Sequence, residues 1–137
     1  MIRVSLSMNE ITVQTNSRTE FIDITDAVQQ FAQEKNLCDG VITVFVPHTT
    51  AGVTINENAD PDVTADLETV FDDMVPWTNG YRHMEGNTAA HVKASMMGSS
   101  AQVIVESGRL RLGTWQSLYF CEFDGPRSRR VWLKETA

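Results

Sequence analysis

Apolar and polar side chains alternate from the start of the chain, where Ile2, Val4, Leu6 and Met8 are interleaved with Arg3, Ser5 and Ser7. A period of two is that of a strand with one face buried. Asn9-Glu10 predicts a turn into a second alternating run, 11–14, so the chain opens with a hairpin. The period then changes. Thr25 is placed to cap a helix, Ile24 precedes it, and Val28, Phe31 and Ala32 form an apolar stripe that ends at Asn36. Asp39-Gly40 turns into 41–46, an almost unbroken apolar run suited to a strand buried on both faces. It stops at Pro47-His48, and a short strand over 52–56 follows. Asp60-Pro61, a capping side chain before a proline at the first helical position, starts a second helix. Its Val63, Leu67, Val70, Phe71 and Met74 share one face, predicted to pack along the core, and Pro76 closes it. After an irregular stretch over 77–86, Asn87 is read as the cap of a third helix, 88–97, with Gly98 as its left-handed terminal residue. The rest is β: 101–105, 109–112, 116–123 and 129–134, separated by Ser107-Gly108, Gly113-Thr114 and Asp124-Gly125-Pro126. The pattern predicts one α+β domain, 1–137, a largely antiparallel or mixed β-sheet sandwich with about three helices.

Composition narrows the class. The 137 residues are enough for one self-supporting domain. No apolar run approaches the roughly 18 residues of a membrane span, and the alternating N-terminus lacks the apolar core of a signal peptide. The expectation is a cytoplasmic protein with no membrane partner. Cys38 and Cys121 form no CxxC pattern and are expected to be buried free thiols. A net charge of −7 argues against nucleic acid as a partner, because phosphates need a basic face. The charge is uneven: residues 57–73 hold seven acids and no base, whereas six of the eleven Lys/Arg lie in 109–134. The two zones could meet across a subunit contact, divide metal from anion, or be solvated surface.

Candidate chemistry concentrates in 47–62, PHTTAGVTINENADPD. A stretch built only for packing would not carry so many polar groups, each of which costs roughly 1–3 kcal/mol when buried without a partner. The three histidines, His48, His83 and His91, all sit where a site could form. Three imidazoles and an open position suit a catalytic zinc or similar ion, although no HExxH or HxH spacing is present. The alternative is an exposed His83 with hydrogen-bonded His48 and His91. Asn56 and Asn58 could orient a substrate, and Glu57 could serve as general base or metal ligand, with Asn58 as a turn residue the competing reading. Asp60 and Asp62 are assigned first to the helix start. The face carrying Asn87, His91, Ala94, Ser95 and Gly98 is small or polar and admits a backbone or a ligand. Gly113, Thr114, Trp115 and Gln116 offer flexible backbone, donors and a stacking plane, against which stands Trp115 as core packing. Arg127, Arg129 and Arg130 could clamp phosphate. Their position around a hairpin turn favours a solvated edge or a subunit salt bridge.

Three segments, HTTAGVTINENADPDV from His48, YRHMEGNTAAHVKASMMG from Tyr81 and GRLRLGTWQSLYFCEFDGPRSRRV from Gly108, resemble the YjbQ-like family, also described as the secondary thiamine-phosphate synthase family. The resemblance implies a homotrimer with sites near subunit contacts and a divalent metal, zinc-like or magnesium, associated with His48, His83 and His91. It places Asn56, Glu57, Asn58, Asn87, Gly113, Thr114, Trp115 and Gln116 around the pocket. His48, Asn56, Glu57 and His91 become the catalytic candidates and the others substrate-binding ones. The implied reaction joins hydroxymethylpyrimidine diphosphate to thiazole phosphate and releases diphosphate. Because diphosphate is usually escorted by magnesium on carboxylates whereas imidazoles favour zinc, two alternatives accompany it: metal-assisted hydrolysis, and a non-enzymatic binder of a small anionic metabolite or metal.

Overall fold

The structure is a computed structural model that describes residues 2–137. Strands β1 (Val4–Ser7), β2 (Glu10–Gln14), β9 (Ser128–Thr136), β4 (Gly40–Phe45), β6 (Ser100–Glu106) and β7 (Arg109–Leu110) form a six-stranded sheet in that spatial order. Strands β3 (Glu20–Asp23), β8 (Gln116–Glu122) and β5 (Ala51–Glu57) form a second sheet. Every pairing is antiparallel. Three helices, α1 (Thr25–Glu34), α2 (Pro61–Met74) and α3 (Thr88–Met97), complete a small α+β domain. No helix among the described residues is long and apolar enough to cross a membrane.

Strand alternation divides the core in two. Ile42 and Val44 of β4, Val131 and Leu133 of β9 and Val103 and Val105 of β6 meet Leu118 and Phe120 of β8 and Phe31 of α1 in the main cluster. Tyr119, Cys121 and Phe123 point the other way, against Ala90 and Ala94 of α3. Thus β8, not β4, is the strand buried on both faces: its residues from Ser117 to Glu122 are all buried. In β4 only alternate residues are buried and Phe45 is exposed, because nothing among the described residues covers the outer face of the large sheet there. Hydrophobicity alone does not separate these cases, since both strands read as apolar runs.

Other local expectations are corrected by tertiary contacts. The first hairpin turns at Met8, whose φ is 57°, and β3 follows in a segment with no evident alternation. Thr25 is the first residue of α1, not its cap; its hydroxyl accepts from the Leu118 N–H, while Asp23 accepts from the Thr25 N–H. Asp60 caps α2 as expected, accepting from the Asp62 N–H at 2.9 Å. That helix does not bury its apolar face, however, and contains no buried residue. Phe71 reaches the second core cluster, whereas Val70 and Met74 stand in solvent. Gly98 has a positive φ of 93° but an extended ψ of 162°, so it is not in the left-handed helical region. Gly52 explains the small residues on α3: a Cβ there would lie 2.7 Å from the Gly98 carbonyl oxygen. Cys121 is buried, but Cys38 is exposed in the turn before β4.

At one end of the sandwich the core becomes ionic. Glu122 and Arg129 are 0% and 3% exposed and pair side by side, with Arg129 Nε donating to Glu122 Oε1 at 2.9 Å and Nη2 donating to Oε2. Thr15 donates to the same carboxylate at 2.9 Å, the Asp124 N–H donates to its second oxygen at 3.0 Å, and Thr50 Oγ1 accepts from the guanidinium at 2.9 Å. Burial alone would raise the Glu122 pKa, but the Arg129 and Asp124 hydrogen bonds outweigh it and the net shift is downward. Removing one partner would strand a buried charge. Arg129→Met is therefore expected to lower unfolding stability by about 3–5 kcal/mol in urea titration, and the double variant with Glu122→Leu to recover a substantial part of that loss.

Candidate functional site

The cleft at this end is made by chain segments leaving regular structure. Strand β4 ends at Phe45, Val46 donates one more bond to the Ser99 carbonyl at 2.7 Å, and Pro47 has no N–H to continue the ladder, so His48 to Thr50 cross to β5. Asn87 ends the irregular stretch before α3 and His91 lies one turn into that helix. The resulting cavity of about 690 Å³ is lined by His48, His83, His91, Asn87 and Arg127, with Arg129 in its wall. A neighbouring lobe of about 500 Å³ shares His48 and His91 and continues along Ala94, Ser95 and Gly98. The small face of α3 thus both packs on Gly52 and opens a lobe beside it.

All three histidines line this one cavity, through sequence separations that no local motif reveals. His83 and His91 meet edge to face with ring centroids 5.4 Å apart. His48 Nε2 accepts the Arg130 N–H at 2.9 Å, so this nitrogen carries no proton and in the neutral ring Nδ1 is the N–H donor. Its pKa is lowered, first by burial and then by the Arg129 guanidinium, against the opposing Glu122 carboxylate. The neutral ring keeps its lone pair on Nε2, so His48 can bind a metal ion or accept a proton only where the Arg130 contact is released.

The donor set fits a metal in part. Two imidazoles that share a tetrahedral ion about 2 Å from each nitrogen have centroids roughly 5 Å apart, which is the separation of His83 and His91. His48 faces the same cavity but has one nitrogen engaged by Arg130. Among the described residues no three His, Cys, Asp or Glu side chains converge as a metal cage.

Asn87 is an integral part of the wall in a role other than capping. Its side chain makes no cap bond; its amide nitrogen donates to Glu85 at 2.9 Å and Asp124 at 2.8 Å. Its Oδ1 and the neighbouring Thr88 hydroxyl are buried without a hydrogen-bond partner among the described residues.

The remaining candidates lie elsewhere. Strand β5 begins at the histidine cleft and carries Asn56 and Glu57 to its far end, roughly 20 Å away at a strand's rise per residue. There Asn58, Thr114, Trp115 and Gln116 line a separate cavity of about 250 Å³. Asn58 is held on both sides, donating to Asp23 at 2.8 Å and accepting from the Tyr119 hydroxyl at 2.7 Å. The Tyr119 pKa is raised by burial and by the Asp23 and Glu57 carboxylates, so the phenol keeps its proton as donor. The Asn56 carboxamide oxygen accepts from the Glu57 N–H at 2.7 Å. The Gly113 N–H donates to Gln116 Oε1 at 2.8 Å, closing the turn, and leaves Trp115 62% exposed, which rules out core packing for that indole within this chain.

Sequence reading missed the ionic wall. Arg129 lies on the same strand face as Val131 and Leu133, and Glu122 on that of Leu118 and Phe120. Extending the alternation by one step would have placed both inside.

These features define a small α+β domain with a histidine-lined cleft backed by a buried ion pair. The chain belongs to the family described as UPF0047 protein YjbQ-like, whose model matches residues 9–137. It is 55% identical over 128 residues to the UPF0047 protein YugU of Bacillus subtilis, covering 93% of this chain and 97% of that protein. It is 44% identical over 122 residues to the UPF0047 protein MJ1081 of Methanocaldococcus jannaschii, covering 89% and 88%. A solved YjbQ/UPF0047-family protein of Clostridium acetobutylicum superposes with a TM-score of 0.91 at 54% identity, over 93% of this chain and 98% of that one. APE1520 of Aeropyrum pernix superposes at 0.90 with 34% identity, over 96% and 99%.

The shifts of His48 and Glu122 make acid sensitivity predictable. His48 charges less readily folded than unfolded, so its contribution is complete above its ordinary value of 6.5 and is lost as pH falls through the lowered one. Glu122, also lowered, contributes above its ordinary 4.5 and is lost on further acidification. The melting temperature should therefore fall in two stages below neutrality, and His48→Gln should flatten the first stage when melting is followed against pH.

Proposed function

We propose that the histidine cleft holds a divalent metal and a small phosphorylated substrate, and that it performs the transfer implied by the family resemblance. The observation that carries this reading is the convergence of His48, His83 and His91 with the Arg127 and Arg129 guanidinium groups on one cavity. In that reaction the thiazole nitrogen attacks the methylene carbon of hydroxymethylpyrimidine diphosphate. A C–N bond forms, the C–O bond breaks, and the electron pair leaves with diphosphate. His83 and His91 would hold the ion; His48 would join them through Nε2 on releasing the Arg130 N–H, and otherwise offers its Nδ1–H to a phosphate oxygen. A bound divalent ion supplies neutralising charge to the leaving group. The Arg127 guanidinium, half exposed at the cavity rim with Nε and Nη2 donating to Asp124, would bind phosphate oxygens by its remaining N–H groups, and Thr49 and Ser99 line the same cavity.

Asn56, Glu57, Asn58 and the 113–116 turn serve this site from a second copy in a homotrimer. Support comes from two different uncovered apolar faces. The outer face of the large sheet exposes Phe45 stacked on Trp132 at 6.0 Å, and Ile104, beside Lys134 and the Arg130–Glu10 ion pair, whose carboxylate accepts from the Trp132 indole. Helix α2 exposes Val70 and Met74 beside Asp66 and Asp73. Different patches that complement each other build rings.

A hydrolytic reading is the competitor, in which Glu57 of another copy moves the proton of a metal-activated water. Tag-free protein loaded with zinc or magnesium and given both substrates should form thiamine phosphate, with His48→Ala lowering the rate by about tenfold to a thousandfold. Equal trace rates in both proteins would refute the transfer; release of phosphate from the pyrimidine substrate alone, abolished by chelator, would favour hydrolysis. Elemental analysis should find bound metal in the wild type and less in His83→Ala and His91→Ala. Light scattering should give the trimer mass, and Trp132→Asp should shift it to monomer.

A further inference from the structure

A second cavity, of about 500 Å³, lies apart from the histidine cleft and shares no lining residue with it. It is set between the segment before β3, the end of α2 and the middle of α3. Its deepest polar group is the ammonium of Lys93, on a side chain only 4% exposed. That ammonium donates to Asp72 Oδ1, its one hydrogen-bond partner among the described residues. An ammonium has three N–H donors, so two remain, in surroundings where unmet donors on a buried charge are costly.

On the rim, the Arg18 guanidinium carbon lies over the Trp77 ring, 4.1 Å from its centroid. A cation held on an aromatic face still has N–H donors for a planar acceptor. No carboxylate among the described residues pairs with Arg18, and none of their cations pairs with Glu68, which lines the same cavity.

The cavity therefore presents two cations with unused donors and two acids with unused acceptors. A simple anion would satisfy Lys93 and Arg18 but add a negative charge beside Asp72 and Glu68. A simple cation would do the reverse. A ligand with both charges within a few ångströms of each other satisfies both sets and leaves the site neutral. We propose that this cavity is a binding site for a free α-amino acid, its carboxylate bridging Lys93 and Arg18 and its ammonium held by Glu68. The volume admits one such molecule with water. The proposal is independent of the reading of the histidine cleft.

The test is a screen of the standard L-amino acids by ligand-observed NMR and calorimetry on the full chain, each hit compared with its N-acetyl and methyl-ester forms. At least one amino acid should bind. Acetylation, which removes the ammonium, and esterification, which removes the carboxylate, should each weaken it by about tenfold or more, the size of one lost charge-assisted hydrogen bond. Arg18→Gln and Glu68→Gln alter surface-reaching groups, and should lose affinity to the same extent while keeping the wild-type melting temperature within a few degrees. His48→Ala should bind as the wild type does. The proposal fails if no amino acid binds, if a blocked form binds as tightly as the free one, or if binding survives both Gln variants.

Discussion

The buried Glu122–Arg129 pair is the constraint on which the functional end of this molecule depends. It joins β8 of the small sheet to β9 of the large one, and its remaining hydrogen bonds reach Thr15 beyond β2 and Thr50 before β5. Four chain segments are thereby fixed around one polar centre where a sandwich would otherwise close with apolar side chains. A pair of this kind contributes little net stability over a well-packed apolar substitute, because desolvating both charges costs about what their attraction returns. What it provides here is position and field. The Arg129 guanidinium disfavours protonation of His48, and the Arg130 N–H that follows it holds the imidazole by Nε2.

The cleft is consequently tied to the sheets on one side and exposed on the other. His48 is tied to β9, whereas His83 is about half exposed on the irregular segment that leads into α3. His91, on the helix, stands between them.

Helix α2 shows how far a local pattern can be right and its inferred destination wrong. The Asp60 cap, Pro61 at the first turn and the apolar spacing all produce the helix that the residues specify. The stripe nevertheless points past its own core. Its anchors are Phe71 and the Lys93–Asp72 ion pair, and the latter also walls the second cavity. Periodicity gives the direction of a face relative to its own helix and contains no information about what stands opposite.

Much of this protein was legible in its residues. Alternation set the strands that pair as hairpins, the Asp60-Pro61 cap set the start of α2, and the crowding of polar groups in 47–62 with three histidines pointed to the cleft. The reason is that backbone propensity, capping and alternation are local properties, written in a few neighbouring side chains. Tertiary structure alone decided the rest. It made β8 the doubly buried strand because α3 covers its second face, turned Arg129 and Glu122 from turn-flanking charges into a buried pair, and took Thr25 from capping its own helix to accepting from the Leu118 N–H. It also split the stretch from His48 to Asn58 between two ends of β5. A strand keeps neighbours in sequence apart by its full length and brings distant residues together across its ladders, so nearness in the chain did not become nearness in a site.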